Sequence, residues 1–409
     1  MHTPTGLSCS VALLIASPLT ALFSAQGPAA PAVPAAETPV PLYAPKAPES
    51  ATLKDSFKGA FYIGAALNPG QFTGSNAQGA ALVAREFNSI TPENVMKWEG
   101  IEPQPGQFRF ELADQFVEFG QKNKMRIVGH TLCWHSQLPA WVSQPDPGQD
   151  TLTKEVLMAR LRRHILTVAG RYKGRVHGWD VVNEAINDGA GDYRQSVFYR
   201  VIGKEYLAWA FKWAHEADPA AELYYNDYNL DANTAKRATA IELVKYLREQ
   251  GAPIHGIGLQ GHYNLNTPTP AKIDETIGMF AALGLKVMIT ELDVQVNRIA
   301  TAAITGAVDA PTAGAAKGPG QAAGGGRGAR PPPPPLSEAQ QQALSKRYGE
   351  IFGVLLKHRA AITRVTFWGL RDADSWRRNS SPLLFDDNYG RKPAYDGVLH
   401  ALTLAGGAK

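Results

Sequence analysis

Short apolar, β-rich runs alternate with helical stretches from about residue 52 to the end of the chain. Eight such runs are predicted to be strands: Phe61–Ala65, Phe87–Thr91, Arg126–Leu132, Val176–Asn183, Glu222–Asn226, Gly256–Gly261, Lys286–Glu291 and Arg364–Trp368. Helices are predicted between them. One spans Thr234–Gln250 and is ended by Gly251 and Pro253, and another begins at Ser337 with Gln340 completing a capping box. This order predicts an α/β fold, a single (β/α)8 TIM barrel. The alternative, a doubly wound open sheet, is disfavoured because no GxGxxG follows the first strand.

Three segments depart from the alternation. Residues 1–25 lack Lys, Arg, Asp and Glu and contain an apolar stretch from Val11 to Phe23. This predicts a signal peptide, and hence a secreted or periplasmic protein, since a membrane span needs about 20 apolar residues. Residues 26–50 hold seven prolines and are predicted to form a Pro/Ala-rich tail or linker. Residues 301–335, with ten alanines, eight glycines and seven prolines, are predicted to be a low-complexity insertion within a catalytic domain spanning 51–409.

Composition excludes several classes of partner and cofactor. A net charge of +4 on 409 residues is too weak to indicate nucleic acid or an anionic membrane as a partner. Of the two cysteines, Cys9 lies in the predicted signal peptide, which leaves Cys133 alone. A disulfide framework, a zinc ribbon and a Cys-ligated cluster are therefore excluded. Because no His, Asp and Glu cluster has metal-ligand spacing, no metal or other cofactor is expected. A monomer is expected.

Two of the predicted strands end in a glutamate. Glu184 follows Val182-Asn183, and Glu291 follows Ile289-Thr290. The carboxyl ends of barrel strands meet at one end of the barrel, so these two side chains can face each other there. Cleavage of a glycosidic bond needs such a pair, one carboxyl protonated and the other ionised. Further strand ends carry His, amide and aromatic side chains, which suit sugar hydroxyls and the apolar faces of sugar rings.

Seven segments resemble glycoside hydrolase family 10, the endo-β-1,4-xylanases: TPENVMKWE, GHTLCWHSQLPAW, WDVVNEAIND, YYNDYN, GLQGHYN, VMITELDV and VTFWGLRDADSW. They occur in the family's order, and the resemblance covers about residues 53–405. It implies retaining hydrolysis of β-1,4-xylosidic bonds in xylan through a covalent glycosyl-enzyme. That mechanism requires carboxyl groups about 5–5.5 Å apart.

The resemblance also implies roles for individual residues. Glu184 corresponds to the general acid/base and Glu291 to the nucleophile. Asn183 corresponds to the residue that bonds the 2-hydroxyl of the sugar at the cleavage subsite. His262 is expected to bond Glu291, and Asp293 to orient His262, because Asp293 lies two residues beyond Glu291 on the same strand face.

The remaining substrate contacts implied by the resemblance divide by subsite. The cleavage subsite is completed by Gln260, His130 and Trp134, and the next glycone subsite by Glu93, Asn94, Lys97 and Gln137. Trp368 and Trp376 supply aromatic surfaces on the glycone side, and Tyr228 is an aglycone platform. Cys133 is interpreted as a buried apolar residue.

Several alternatives stay open at this point. A related retaining β-1,4-glycanase could act on glucans or release xylobiose from chain ends, and a transglycosylase would use the same residues. A non-catalytic polysaccharide-binding barrel is disfavoured by the joint presence of Glu184, Glu291, Asn183 and His262. The expected substrate is xylan or a xylo-oligosaccharide.

Overall fold

The computed structural model describes residues 44–297 and 334–406. The predicted signal peptide, most of the predicted tail and most of the 301–335 insertion lie outside the described residues. Within them, residues 44–50 follow an irregular path against the last helix of the chain. The Ala47 amide donates to Asp396 Oδ1 at 2.9 Å, and Arg391 Nη1 donates to the Pro48 carbonyl at 3.1 Å.

Eight parallel strands close into a barrel: β1 Tyr62–Leu67, β2 Ser89–Pro92, β3 Arg126–Trp134, β4 Gly178–Asn183, β5 Glu222–Asp227, β6 Gly256–Leu259, β8 Lys286–Gln295 and β9 Ile362–Phe367. The ring closes because β9 pairs with β1 and β6 pairs with β8. Residues of these strands are buried on both faces, as expected for a parallel sheet covered by helices outside and filled by side chains inside. The predicted (β/α)8 barrel is thus confirmed.

A ninth short strand, β7 (His262–Asn264), pairs with the far end of β8. The sequence predicts one run over Gly256–Gly261, but the strand breaks because Gly261 adopts a φ of +80°, a left-handed conformation that glycine tolerates. The long strand β8 extends beyond the barrel and offers its edge to the chain after this turn. The register opposes His262 to Asp293, which places these two residues side by side.

Twelve helices accompany the strands: α1 Leu53–Ser56, α2 Pro69–Phe72, α3 Ala77–Glu86, α4 Trp98–Ile101, α5 Glu111–Lys122, α6 Lys154–Arg171, α7 Val197–Ile202, α8 Glu205–Ala217, α9 Thr234–Glu249, α10 Pro270–Ala282, α11 Glu338–Lys357 and α12 Pro393–Gly406, counted over the described residues. The two helices predicted in detail are confirmed. Helix α9 ends one residue before the prediction, and α11 begins with the Ser337–Gln340 capping box. No helix in this part of the chain is long and apolar enough to cross a membrane.

Candidate active site

Two glutamates lie at the carboxyl end of the barrel, on opposite sides of its opening. Glu184 directly follows β4 and has a φ of +55°, which is uncommon for a residue other than glycine. Its amide donates to the Asn226 carbonyl on β5 at 2.9 Å, which holds the backbone in this conformation. Glu291 lies within β8. Each residue is only 2% exposed.

The Glu184 carboxyl is held by two neutral donors. Gln260 Nε2 donates to Oε1 at 2.9 Å, and Trp134 Nε1 donates to Oε2 at 3.0 Å. Burial raises the pKa of this carboxyl, and the negative charges of Asp227 and Glu291 raise it further, while the two hydrogen bonds oppose the rise. Glu184 therefore favours the protonated form that a general acid needs.

The Glu291 carboxyl has a different environment. Asn226 Nδ2 donates to Oε1 at 2.8 Å, and His262 Nε2 lies 3.2 Å from Oε2. Burial alone would raise the pKa of Glu291, but the His262 hydrogen bond and the positive charges nearby hold it below its usual value. Glu291 is therefore the ionised member of the pair.

His262 lies between two carboxylates. Its Nδ1 is 3.1 Å from Asp293 Oδ2, and its Nε2 faces Glu291, the contacts that the resemblance implies. Asp293 also accepts from Trp376 Nε1 at 2.8 Å and from Arg377 Nη1 at 3.0 Å. Burial lowers the pKa of His262, but the two carboxylates raise it to about 9 overall. At neutral pH an imidazolium thus lies beside Glu291.

Replacing His262 with asparagine is expected to move the acid limb of kcat/KM to higher pH. The substitution removes the cation that lowers the pKa of Glu291, so this carboxyl takes up a proton at a higher pH than in the wild type. The pH dependence of kcat/KM measures the shift. The matched variant His400→Asn changes a histidine on α12 whose contact is with Thr403, and it should keep the wild-type limb. An unchanged acid limb in His262→Asn would show that His262 does not lower the pKa of Glu291.

Side-chain amides join the two glutamates across the floor of the site. The Asn226 Nδ2 that bonds Glu291 also lies 3.0 Å from the Asn183 carboxamide, and Gln260 contacts Asn183 and Glu184. Gly258 on β6 leaves the space that Asn226 occupies, since a Cβ at Gly258 would lie 2.3 Å from Asn226 Oδ1. These rigid, buried donors fix the distance and orientation of the two carboxyl groups.

A cluster of polar side chains around one lysine, Lys97, continues the site next to β2. Lys97 Nζ donates to Asn94 Oδ1 at 3.0 Å and to Gln137 Oε1 at 2.8 Å, and it lies 4.9 Å from the Trp134 ring centre. Glu93 precedes Asn94, and burial raises its pKa although Lys97 opposes the rise. The four residues predicted for the second glycone subsite therefore lie together, next to Trp134, whose Nε1 donates to the Glu184 carboxyl.

Aromatic rings cover the same side. Trp368 is 5% exposed and lies edge-on to His130, with ring centres 5.3 Å apart. His130 Nδ1 contacts Asp180 Oδ2 at 3.0 Å. Trp376 is 37% exposed and lies edge-on to His262 at 5.1 Å. The more exposed Trp376 offers a surface on which a sugar ring can stack.

Tyr228 lies apart from this group, after β5. Its hydroxyl accepts from Arg194 Nη2 at 3.1 Å, and the same guanidinium donates through Nε to the Glu184 carbonyl at 2.9 Å. Fourteen of the fifteen predicted site residues thus lie in one network of contacts around the two glutamates. Tyr228 is linked to this network through Arg194.

Sequence reasoning did not assign several residues that the geometry makes important. Asn226 bonds Glu291 directly, and its position in YYNDYN at a strand end could have identified it. Arg194 and Arg377 come from loops that have no recognisable spacing to the strands. Asp227 and Lys236 form a buried ion pair of 2.9 Å beside Glu184 and Tyr228. Cys133, as predicted, is a buried member of the apolar core.

In the two described ranges, no three His, Cys, Asp or Glu side chains are arranged to hold a metal ion. Two buried carboxyl groups whose pKa values are displaced in opposite directions, at the carboxyl end of a (β/α)8 barrel and among amides and indoles, define a glycoside hydrolase.

Comparisons with known proteins give the family. Residues 52–401 match the model of glycosyl hydrolase family 10. The beta-1,4-xylanase of Dictyoglomus thermophilum is 40% identical over 361 residues, which are 86% of this chain and 91% of that protein. The endo-1,4-beta-xylanase A of Caldicellulosiruptor sp. (strain Rt8B.4) is 40% identical over 351 residues, 84% of this chain. This chain spans about half of that relative, 46% of its length.

A solved structure agrees with these sequence matches. The structure of a GH10 endoxylanase retrieved from sugarcane soil metagenome has a TM-score of 0.75 and 41% identity to this chain, covering 87% of this chain and 99% of that one. The chain belongs to glycosyl hydrolase family 10.

Proposed function

We propose that this protein hydrolyses internal β-1,4-xylosidic bonds of xylan with retention of anomeric configuration. The observation that carries the proposal is that two buried carboxyl groups at the carboxyl end of the barrel have pKa values displaced in opposite directions, that of Glu184 upward and that of Glu291 downward. The substrate class is supported by the family and by the names of the relatives described above, which are xylanases.

In the first step, the Glu291 carboxylate attacks the anomeric carbon and forms an ester bond with it. The glycosidic C–O bond breaks at the same time, and Glu184 gives its proton to the departing oxygen. In the second step, Glu184 takes a proton from a water molecule. That water attacks the anomeric carbon and releases Glu291, so inversion at each step gives net retention.

The surrounding residues position the sugars. Asn183 is proposed to bond the 2-hydroxyl at the cleavage subsite, where such a bond strengthens in the transition state. Gln260, His130 and Trp134 line that subsite, while Glu93, Asn94, Lys97 and Gln137 bond the next sugar. Trp368 and Trp376 stack against the glycone side, and Tyr228 supports the leaving group.

Product analysis tests the proposal against the related activities. The enzyme is incubated with xylan, mixed-linkage β-glucan and carboxymethyl cellulose, and separately with xylohexaose. We expect xylan to be the preferred polymer and xylohexaose to be cleaved at internal bonds. Proton NMR should show the β-anomer as the first product. Predominant glucan cleavage would overturn the substrate assignment. Xylobiose released only from chain ends would show exo action, and transfer products exceeding hydrolysis products would show a transglycosylase.

We also propose that the protein is exported and acts as a monomer. Export is supported by the uncharged residues 1–25 with their apolar stretch. Mass spectrometry of the N-terminus after expression tests the first proposal, and retention of Met1 contradicts it. Light scattering tests the second, and a dimer mass contradicts it.

A further inference from the structure

Lys236 is a buried cation that the reaction steps above do not use. It lies in the first turn of α9, where its amide donates to the N-cap side chain of Asn233 at 3.0 Å. The residue is 0% exposed, and its Nζ lies 2.9 Å from Asp227 Oδ1. A lysine is almost never fully buried unless it is paired. The local arrangement therefore fixes this ammonium group at one place beside the site.

The same ammonium group lies under the predicted aglycone platform. Its Nζ is 3.5 Å from the centre of the Tyr228 ring, a cation–π geometry. Arg194 holds the hydroxyl end of that ring, and Asp188 Oδ1 lies 3.3 Å from Lys236 Nζ. The orientation of Tyr228 is thus determined by cations at its face and at its tip.

Asp227 connects the ammonium group to the backbone of the acid. Its Oδ2 accepts the Tyr225 hydroxyl hydrogen, and the Tyr225 hydroxyl oxygen accepts the amide of Ala185 at 3.1 Å. Ala185 directly follows Glu184. Burial raises the pKa of Asp227, and Lys236 opposes that rise. The ion pair thus keeps a carboxylate close to Glu184, where its negative charge favours the protonated acid.

We propose that Lys236 is a positioning residue that couples the leaving-group platform Tyr228 to the acid Glu184 through its ion pair with Asp227. The inference rests on the proposed function, because it takes Glu184 as the acid and Tyr228 as the aglycone platform. The role proposed for Lys236 predicts that its loss affects some substrates and not others. Substrates with a sugar leaving group depend on Lys236, whereas a leaving group that needs neither the platform nor protonation does not.

The test compares Lys236→Met with Lys245→Met. Lys245 lies on the same helix, but it is exposed and pairs with Glu242. For Lys236→Met we expect kcat/KM on xylopentaose to fall about 10- to 100-fold, the size of effect that a small misplacement produces, and on β-xylobiosyl fluoride less than about threefold. Lys245→Met should match the wild type on both substrates. Equal losses on the two substrates, or no loss on xylopentaose, would overturn the proposal.

A second variant applies if Lys236→Met does not fold. The double variant Asp227→Asn/Lys236→Met removes both charges of the buried pair and leaves no buried carboxylate unpaired, since Asp188, the other partner of Lys236, is half exposed. Loss of the Asp227 charge should move the alkaline limb of kcat/KM, which reports Glu184, to lower pH. The other charged groups around Glu184 stay in place: Glu291 on β8, Lys97 before α4 and Arg194 after β4. An unchanged alkaline limb would overturn the proposal.

The two proposals fail in different ways. A wild-type enzyme that hydrolyses neither xylopentaose nor xylobiosyl fluoride would contradict the proposed function itself. A wild-type enzyme that hydrolyses both, with Lys236→Met indistinguishable from Lys245→Met, would contradict the role of Lys236 alone.

Discussion

Replacing Glu291 with glutamine is expected to lower kcat/KM on xylan by at least about 10⁴-fold, a loss typical of removing a covalent nucleophile. The neutral amide has nearly the volume of the carboxylate, so packing around Asn226 and His262 is preserved. The amide cannot form the ester bond to the anomeric carbon. The loss should therefore be as large on an aryl β-xylobioside as on xylan, because every substrate must pass through the glycosyl-enzyme. Steady-state kinetics on the two substrates measures it.

Glu222→Gln is the matched control for this experiment. Glu222 begins β5 at the opposite end of the barrel, where it pairs with Arg126 at 2.6 Å and with Lys286. Like Glu291, it is a glutamate held by cations, but it is only partly buried and lies away from the cleft. Its variant should retain wild-type turnover even if stability falls. If Glu291→Gln kept substantial xylan hydrolysis, Glu291 would not be the nucleophile.

The barrel could be predicted because β-rich runs alternate with helical stretches along the chain. The positions of the two glutamates could be predicted because each glutamate ends one of those runs. Glu184 and Glu291 terminate runs whose β-rich character is visible in the sequence, and parallel topology brings such ends together. The pairing of His262 with Asp293 was expected from the resemblance. Its physical origin, the short strand β7 after Gly261, was hidden because a glycine turn within an apolar run gives no separate signal.

The charged residues behind the site could not be predicted in this way. Lys236 has the sequence context of an ordinary residue in the first turn of an exposed helix, where lysine is mostly solvated. Its side chain turns inward because Asp227, the last residue of β5, and Tyr228, which follows β5, lie beside it and contact its ammonium group. Arg377 likewise reaches Asp293 from a loop 84 residues later in the chain. Such contacts are fixed by packing of distant elements, which a single sequence does not reveal.

Replacing Glu184 with alanine is expected to lower kcat/KM by an amount that depends on the leaving group of the substrate. On xylan, kcat/KM should fall about 10²- to 10⁴-fold, the usual contribution of general acid catalysis. On dinitrophenyl β-xylobioside, whose leaving group departs without protonation, kcat/KM should fall far less, because this parameter covers only the steps up to the glycosyl-enzyme. The kcat on that substrate should still fall, since no base remains to activate water in the second step.

The alkaline limb of the pH profile of kcat/KM gives a second test of Glu184 as the general acid. In the wild type, kcat/KM on xylan should decline above the raised pKa of Glu184, where the acid loses its proton. In Glu184→Ala this limb should vanish from the profile, while the acid limb set by Glu291 remains. Retention of the alkaline limb in Glu184→Ala, or equal losses on xylan and the dinitrophenyl substrate, would show that another group protonates the leaving oxygen.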